Sequence, residues 1–466
     1  MIFLIIVFSL FKYNQILLIN YFILNKNFLN VNYNYNLNLS YHYKIMNKIK
    51  ISTFTYYLEN GGRARITSLL LNYLYKIKIF NIFLFTIKNK NNKEYLINEK
   101  INRIIINNFT INKLIKTILK KRINIFIYQF SYINEIKELN KLKNINVLVY
   151  LHQSIFFWIY NNYTSFISLY KYYKKSNYII SLIHMENDYI FQKWGIKSIL
   201  MNNFIAYKYD LSFPLNLSYN EILMIGRADN RLKRFELGIQ AMEYIVKVIP
   251  EAQMKIVTNI TTIDFLMNII NILGLENNIN FFGYTPIPEK YFKNISLNII
   301  TSISESFSLI LSETKIYGIP NILIGLDYIS IASGGTIIIY DDSPESIAKE
   351  SIKILLNYEY RKKIGNEGRR NMKKYKNELL LKKWILLILL IHYRNDSYFE
   401  KFRKLDKKIT EKKSINLLKN QIKFLKKRKF FKHISLKKIE NFTFLENINY
   451  IINIKYIKKY IYLLTR

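Results

Sequence analysis

Short runs of β-branched and aromatic residues alternate along the chain with longer stretches in which apolar residues recur every three or four positions. Ile51–Tyr56, Ile79–Ile87, Ile123–Tyr128, Val147–Leu151, Tyr178–Leu182 and Ser198–Met201 form a first group of such runs. Ile222–Ile225, Gln253–Thr258, Ile279–Phe282, Leu297–Thr301, Asn321–Leu323 and Thr336–Ile339 form a second. Runs of this length separated by amphipathic segments predict parallel strands joined by helices, an α/β fold. The groups part near Asn203–Asn220, where Pro214 falls in a stretch without clear period, so a domain lies on either side. The expected organisation is a leader over 1–45, a first domain over 46–205, a linker over 206–220, a second domain over 221–375, a crossover helix over 376–395 and a basic extension over 396–466.

Several turns carry their own signals. Asp342-Ser343-Pro344-Glu345 predicts a helix start, with an oxygen side chain capping and Pro at the first helical position. The pair Asp341-Asp342 is also a candidate for a divalent metal, but the Ser-Pro-Glu that follows favours the cap. Tyr317-Gly318-Ile319-Pro320 predicts a helix stop before a new strand. Residues 346–392 read as one helical stretch packing across both domains, and their apolar run Trp384–Ile391 is too short to span a bilayer.

The ends are different. Met1 to Leu24 is apolar apart from Lys12, Asn14 and Gln15, and Asn25 to Tyr43 is mostly Asn, Tyr and Leu. This leader is either a membrane anchor or a non-structural extension ahead of a start near Met46. At 466 residues the chain suits two or three cores, and its hydrophobic half rules out wholesale disorder. It has no cysteine, which excludes disulfides, thiolate metal sites and cysteine nucleophiles. The formal charge of +38 suggests anionic partners, although Lys, Asn, Ile, Tyr and Phe are what an AT-rich genome over-produces. The placement is uneven: residues 401–466 hold 20 basic and 4 acidic side chains. As an amphipathic helix this tail would suit an anionic membrane surface; as a basic, aromatic groove it would suit nucleic acid, a partner not expected here.

Candidate chemistry concentrates in the second group. After the strand Leu297–Thr301 come Glu305, Ser306, Ser308 and Leu309, with a helix expected near Phe307 and Glu313 two turns on. On that helix both glutamates would fall within one quadrant, at the sheet end where ligands bind in open α/β folds. Arg227 and Lys233 follow the strand Ile222–Ile225, a planar fork and a point charge placed to meet a phosphate. The N–H groups near Ser308 and Leu309 open a helix, itself an anion site. Gly61 and Gly62 follow the first strand, where backbone can approach a ligand. His152 follows the strand Val147–Leu151.

These residues resemble glycosyltransferase family 4, retaining enzymes with two facing Rossmann-like domains, the GT-B architecture. The resemblance rests on Glu305 and Glu313 with seven residues between, Gly318 and Pro320, Ile225-Gly226-Arg227, Lys233 through Ile239, Glu59 through Gly62, His152, and Phe281-Phe282-Gly283-Tyr284. It implies a nucleotide diphosphate sugar as donor and a glycan or lipid as acceptor, at the cytoplasm or the cytoplasmic face of a membrane. It also implies that Glu313 holds the donor ribose, Glu305 the transferred sugar, and Arg227 and Lys233 the leaving diphosphate. His152 contacts sugar or acceptor, while Ser308, Leu309, Gly61, Gly62, Gly283 and Tyr284 lie on the donor. No cofactor and no metal are expected. One departure stands out: where the family carries glycines this chain has Ser306 and Ser308, and serine takes positive φ less readily. The competing expectation is a basic nucleic-acid or membrane-binding protein on an inactive scaffold of this fold.

Overall fold

The computed structural model describes residues 48–393 except 60, 88–93, 155–168, 170, 197, 207–219, 229–231 and 260–262. The leader and the basic extension, and most of the linker, lie outside the described residues.

Two parallel sheets carry the fold. The first joins β1 (Ile49–Phe54), β2 (Phe80–Thr86), β3 (Asn102–Ile105), β4 (Ile125–Tyr128), β5 (Asn146–Tyr150), β6 (Tyr178–Ser181) and β7 (Ile199–Leu200). Their order is β3-β2-β1-β4-β5-β6-β7. The second joins β8 (Glu221–Ile225), β9 (Gln253–Val257), β10 (Ile279–Phe282), β11 (Ile295–Ile300), β12 (Asn321–Ile324) and β13 (Thr336–Ile339), in the order β10-β9-β8-β11-β12-β13. Every apolar run singled out in the sequence overlaps a strand. β3 was not among them, because its Asn102-Arg103-Ile104-Ile105 is a partly exposed edge without a continuous apolar run. The central strands are buried along their length, as parallel sheets covered on both faces require; all six residues of β11 are buried.

Helices connect the strands: α1 (Gly62–Tyr75), α2 (Ile111–Lys120), α3 (Ile133–Leu139) and α4 (His184–Trp194) in the first half, α5 (Phe235–Val246), α6 (Asp264–Leu273) and α7 (Leu309–Ile316) in the second. Residues 344–392 are not one helix. They divide into α8 (Pro344–Leu356), α9 (Tyr358–Met372) and α10 (Asn377–His392), broken at Asn357, which caps α9, and at the extended Lys376. Ser343 caps α8 by accepting from the Ser346 N–H, with Pro344 at the first helical position. Asp341 accepts from the hydroxyls of Ser343 and Ser346, and Asp342 pairs with Arg234, so both acids are engaged at the helix start.

α10 follows the second sheet in sequence but packs on the first. Trp384 is fully buried, edge-on to Tyr150 at the end of β5 with ring centres 5.7 Å apart. Asn377 donates to the Tyr73 hydroxyl and the Ile205 carbonyl, and accepts from the Ile205 N–H. One apolar cluster therefore runs from the first sheet through α10 to Phe307, Leu311 and Ile316 around α7. Among the described residues no helix is long and apolar enough to cross a membrane.

Strand order reverses between β1 and β4 in the first sheet and between β8 and β11 in the second. At such points the loops leaving neighbouring strands diverge and open a crevice beyond the carboxyl ends.

Candidate active site

Both crevices are lined by residues expected from the sequence. In the second sheet, the loop after β8 carries Arg227 and Lys233 and the loop after β11 carries Glu305. Lys233 Nζ forms an ion pair with Glu305 Oε1, which also accepts from Ser302 Oγ at 2.8 Å. The Glu305 N–H donates to the Tyr328 hydroxyl at 3.1 Å, fixing the turn from a second side. Arg227 is exposed and forms no ion pair or hydrogen bond with the described residues. Next to Lys233, Arg234 adopts a left-handed φ of 48°, donates to the Thr301 carbonyl and pairs with Asp342 at 2.6 Å, which ties the β8 loop to β11 and α8.

α7 starts at Leu309, two residues later than expected, so Glu305 lies in the loop before the helix and the one-quadrant argument does not apply to it. The two glutamates face different partners. Glu313 is 1% exposed and meets Arg65, from α1 of the other half, with Nη1 2.8 Å from Oε1. Oε1 has no well-aligned hydrogen bond, so the contact is a close charge pair. Burial raises the Glu313 carboxyl to about 7 against the opposing pull of the Arg65 guanidinium. Tyr95 completes this corner: it hydrogen-bonds Tyr284, and its ring lies 6.0 Å from the Arg65 guanidinium. Gly283 beside Tyr284 is exposed and open on its Cβ side.

The serine that departs from the family pattern takes the unfavourable conformation. Ser308 occupies the N-cap position of α7 with φ 60° and ψ 91°, its Oγ buried without a hydrogen-bond partner among the described residues. Ser306 Oγ donates to the His152 carbonyl at 2.8 Å, bridging the two halves.

In the first sheet, Gly61 has φ 98°, a conformation that only glycine adopts without strain, and it turns the chain into α1. A Cβ on Gly62 would lie 3.5 Å from Leu309 Cδ1, so the N-termini of α1 and α7 meet across the cleft. His152 Nε2 lies 2.9 Å from Gln129 Oε1; Gln129 in turn donates to Thr53 Oγ1, which orients its amide so that the imidazole donates from Nε2. The His152 ring keeps some accessible surface, yet the packed protein around it, and then the Arg63 charge, hold its pKa down to about 3. It is neutral at physiological pH.

The structure thus brings Lys233, Glu305 and Ser308 to one side and Gly61, Gly62 and His152 to the other, with Glu313 joined across the gap. Sequence reasoning missed Arg63, Arg65, Gln129, Tyr95 and Tyr328. The arginines had a signal, since each lies within three positions of Gly62 at a strand-to-helix turn, the context that singled out Arg227. Tyr95 and Tyr328 had none, because only the fold carries them to the site.

Residues 210–371 match the family model described as Glycosyl transferases group 1. The chain is similar to a poly(ribitol-phosphate) alpha-N-acetylglucosaminyltransferase of Staphylococcus aureus, 26% identical over 161 residues, which are 33% of this chain and 32% of that protein. It is also similar to a poly(glycerol-phosphate) alpha-glucosyltransferase of Bacillus subtilis, 23% identical over 186 residues, 38% of this chain and 28% of that protein. The matched stretch spans about a third of the length of these curated relatives. In fold the chain is similar to the Anabaena protein HepE solved with UDP-glucose, with TM-score 0.60 and 12% identity over 73% of this chain and 99% of that one. The two sheets have the GT-B architecture.

Proposed function

We propose that this chain, whose residues 210–371 match the Glycosyl transferases group 1 model within a GT-B fold, is a retaining glycosyltransferase moving a sugar from a nucleotide diphosphate donor to a glycan or lipid-linked acceptor. The observation that carries this reading is the convergence at the second switch point. Lys233 pairs with Glu305 there just before the start of α7, Arg227 lies on the same loop as Lys233, and Ser308 Oγ is buried without a hydrogen-bond partner among the described residues.

When the bond from sugar C1 to the β-phosphate oxygen breaks, its electron pair stays on that oxygen and the charge on the diphosphate grows. A site that holds developing charge lowers the barrier more than one that binds the ground state. Arg227 is free to turn to the phosphates. Lys233 is held at the crevice by Glu305, and the first N–H groups of α7 with Ser308 Oγ supply neutral donors. The acceptor oxygen bonds C1 on the face the diphosphate leaves, and its proton passes to the departing phosphate oxygen. Glu305, kept in place by Tyr328, Ser302 and Lys233, would receive hydroxyls of the transferred sugar. Glu313 would exchange its Arg65 contact for the ribose, with Gly283 and Tyr284 further along the donor. His152, neutral and oriented by Gln129, would offer its imidazole to sugar or acceptor, and Gly61 and Gly62 let backbone approach the phosphates. Both curated relatives are named as alpha-transferases, the product a retaining enzyme makes from an alpha-configured donor. On this reading the reaction takes place in the cytoplasm or at the cytoplasmic face of a membrane.

The test is a thermal-shift screen of the full-length protein against UDP-, GDP- and ADP-sugars. A ligand near a hundred times its dissociation constant adds ~2.7 kcal/mol of stability. One donor class is expected to raise the melting temperature and to be turned over with an acceptor mixture; no response to any of them would overturn the reading.

A further inference from the structure

We propose that Arg63 is a third cation of the leaving-group site, supplied by the half of the molecule opposite Arg227 and Lys233. The inference rests on the glycosyltransferase reading and adds a residue to it. Arg63 is the second residue of α1, directly after Gly61 and Gly62, and Gly62 abuts Leu309 at the start of α7. The guanidinium carbon lies 4.4 Å from the centre of the Phe130 ring, and Phe130 stacks on Tyr132, so the fork is held on an aromatic shelf at the carboxyl end of β4. Its Nε is buried without a hydrogen-bond partner among the described residues.

No carboxylate pairs with Arg63 among the described residues. The acid of this corner, Glu135, is occupied by the hydroxyls of Tyr56 at 2.7 Å and Tyr128 at 2.6 Å. Burial lowers the Arg63 pKa, and the like charge of Arg227, on the loop after β8, adds a smaller push in the same direction. Arg63 is half-buried and Arg227 exposed, and no carboxylate among the described residues pairs with either, so an anion bound at this end of the sheets would be met by both charges. A diphosphate carries about two negative charges and presents oxygens on more than one side, so it can take one fork from each half. A nucleoside monophosphate is one phosphate shorter and should not reach both.

The experiment titrates the full-length protein with UDP, GDP and ADP, each beside its monophosphate UMP, GMP or AMP, by isothermal calorimetry. The wild type is expected to prefer one diphosphate over its monophosphate. Arg63→Gln should weaken diphosphate binding by ~10–100-fold and leave monophosphate binding within about twofold. Should Arg63→Gln not fold, Arg63→Lys carries the test: losing the fork but not the charge, it is expected to narrow the diphosphate preference by several-fold. A wild-type preference in either folded variant overturns the proposal. So does an Arg63→Gln protein that binds the diphosphate normally but has a raised KM for acceptor, which would put an acceptor anion on the shelf. Failure of the wild type to bind any of the six nucleotides overturns the glycosyltransferase reading and this inference with it.

Discussion

Arg227 and Lys233 share a proposed role but differ in what they do for the fold. Arg227 is exposed and unpaired among the described residues, so Arg227→Ala should change stability by no more than ~0.5 kcal/mol while lowering turnover about a hundredfold, near 3 kcal/mol in the barrier. Lys233→Ala should lower turnover similarly and also loosen the turn, because Glu305 Oε1 is left with Ser302 alone. Wild-type turnover in both variants would return these cations to ordinary solvated surface. Transfer is also expected to survive EDTA, since Asp341 and Asp342 are committed to capping α8 and to Arg234. Ser308 offers a test in which stability and rate move in opposite directions. At φ 60° a serine is strained, and its buried hydroxyl has no partner; glycine relieves both, so Ser308→Gly should gain ~1 kcal/mol in urea denaturation. If Oγ meets the phosphate, the same variant turns over more slowly; unchanged turnover would remove the hydroxyl from the site. The sequence marked this position as a departure but could not say which of Ser306 and Ser308 takes the positive φ.

Among the elements, α7 concentrates opposed titrations on eight residues. Burial raises Glu313 from 4.5 to about 7, and burial, with the Lys374 charge behind it, lowers Lys315 from 10.5 to about 7. Glu313 keeps its proton in the folded chain over a range where the unfolded chain has lost it. Its contribution is full below 4.5 and is lost as pH rises through 7. Lys315 is the reverse: its contribution is present above 10.5 and lost as pH falls through 7. Together they predict a stability minimum near neutrality. Urea midpoints measured from pH 5 to 9 should show the acid-side fall flattened in Glu313→Gln and the alkaline-side rise flattened in Lys315→Met; pH profiles parallel to wild type would show that neither group is perturbed. The element level was also where sequence reading succeeded and failed for identifiable reasons. Strands such as β8 and β11 were legible because both faces are covered, which demands an unbroken apolar run, whereas β3 at the sheet edge needs none. The start of α7 was placed early because Phe307 is apolar and buried like a helical residue, although it belongs to the loop. The helix stop at Asn357 carries neither Gly nor Pro, so α8 and α9 read as one, whereas α10 is expected apart as the crossover helix over 376–395.

At the scale of the molecule, the first sheet is completed by the last described helix. Trp384 packs on Tyr150, and Trp384→Ala should cost ~3–5 kcal/mol in chemical denaturation, with the loss felt by the first sheet rather than by the second, which α10 follows in sequence. A change confined to the second sheet would contradict this packing. The two-group division of strands was visible in the sequence; the return of α10 to the first group was anticipated only as a helix touching both domains, because hydrophobicity says that a face is covered but not by what. That return also sets a timetable for synthesis. A ribosome adding about 5–20 residues per second needs roughly 10–40 s to pass from the end of the first sheet to the end of α10. Throughout that interval the patch around Tyr150, Tyr73 and Phe204 is without its cover. The nascent first half is therefore a natural client for chaperones, and chains stalled before Asn377 should be cut by protease where finished chains resist.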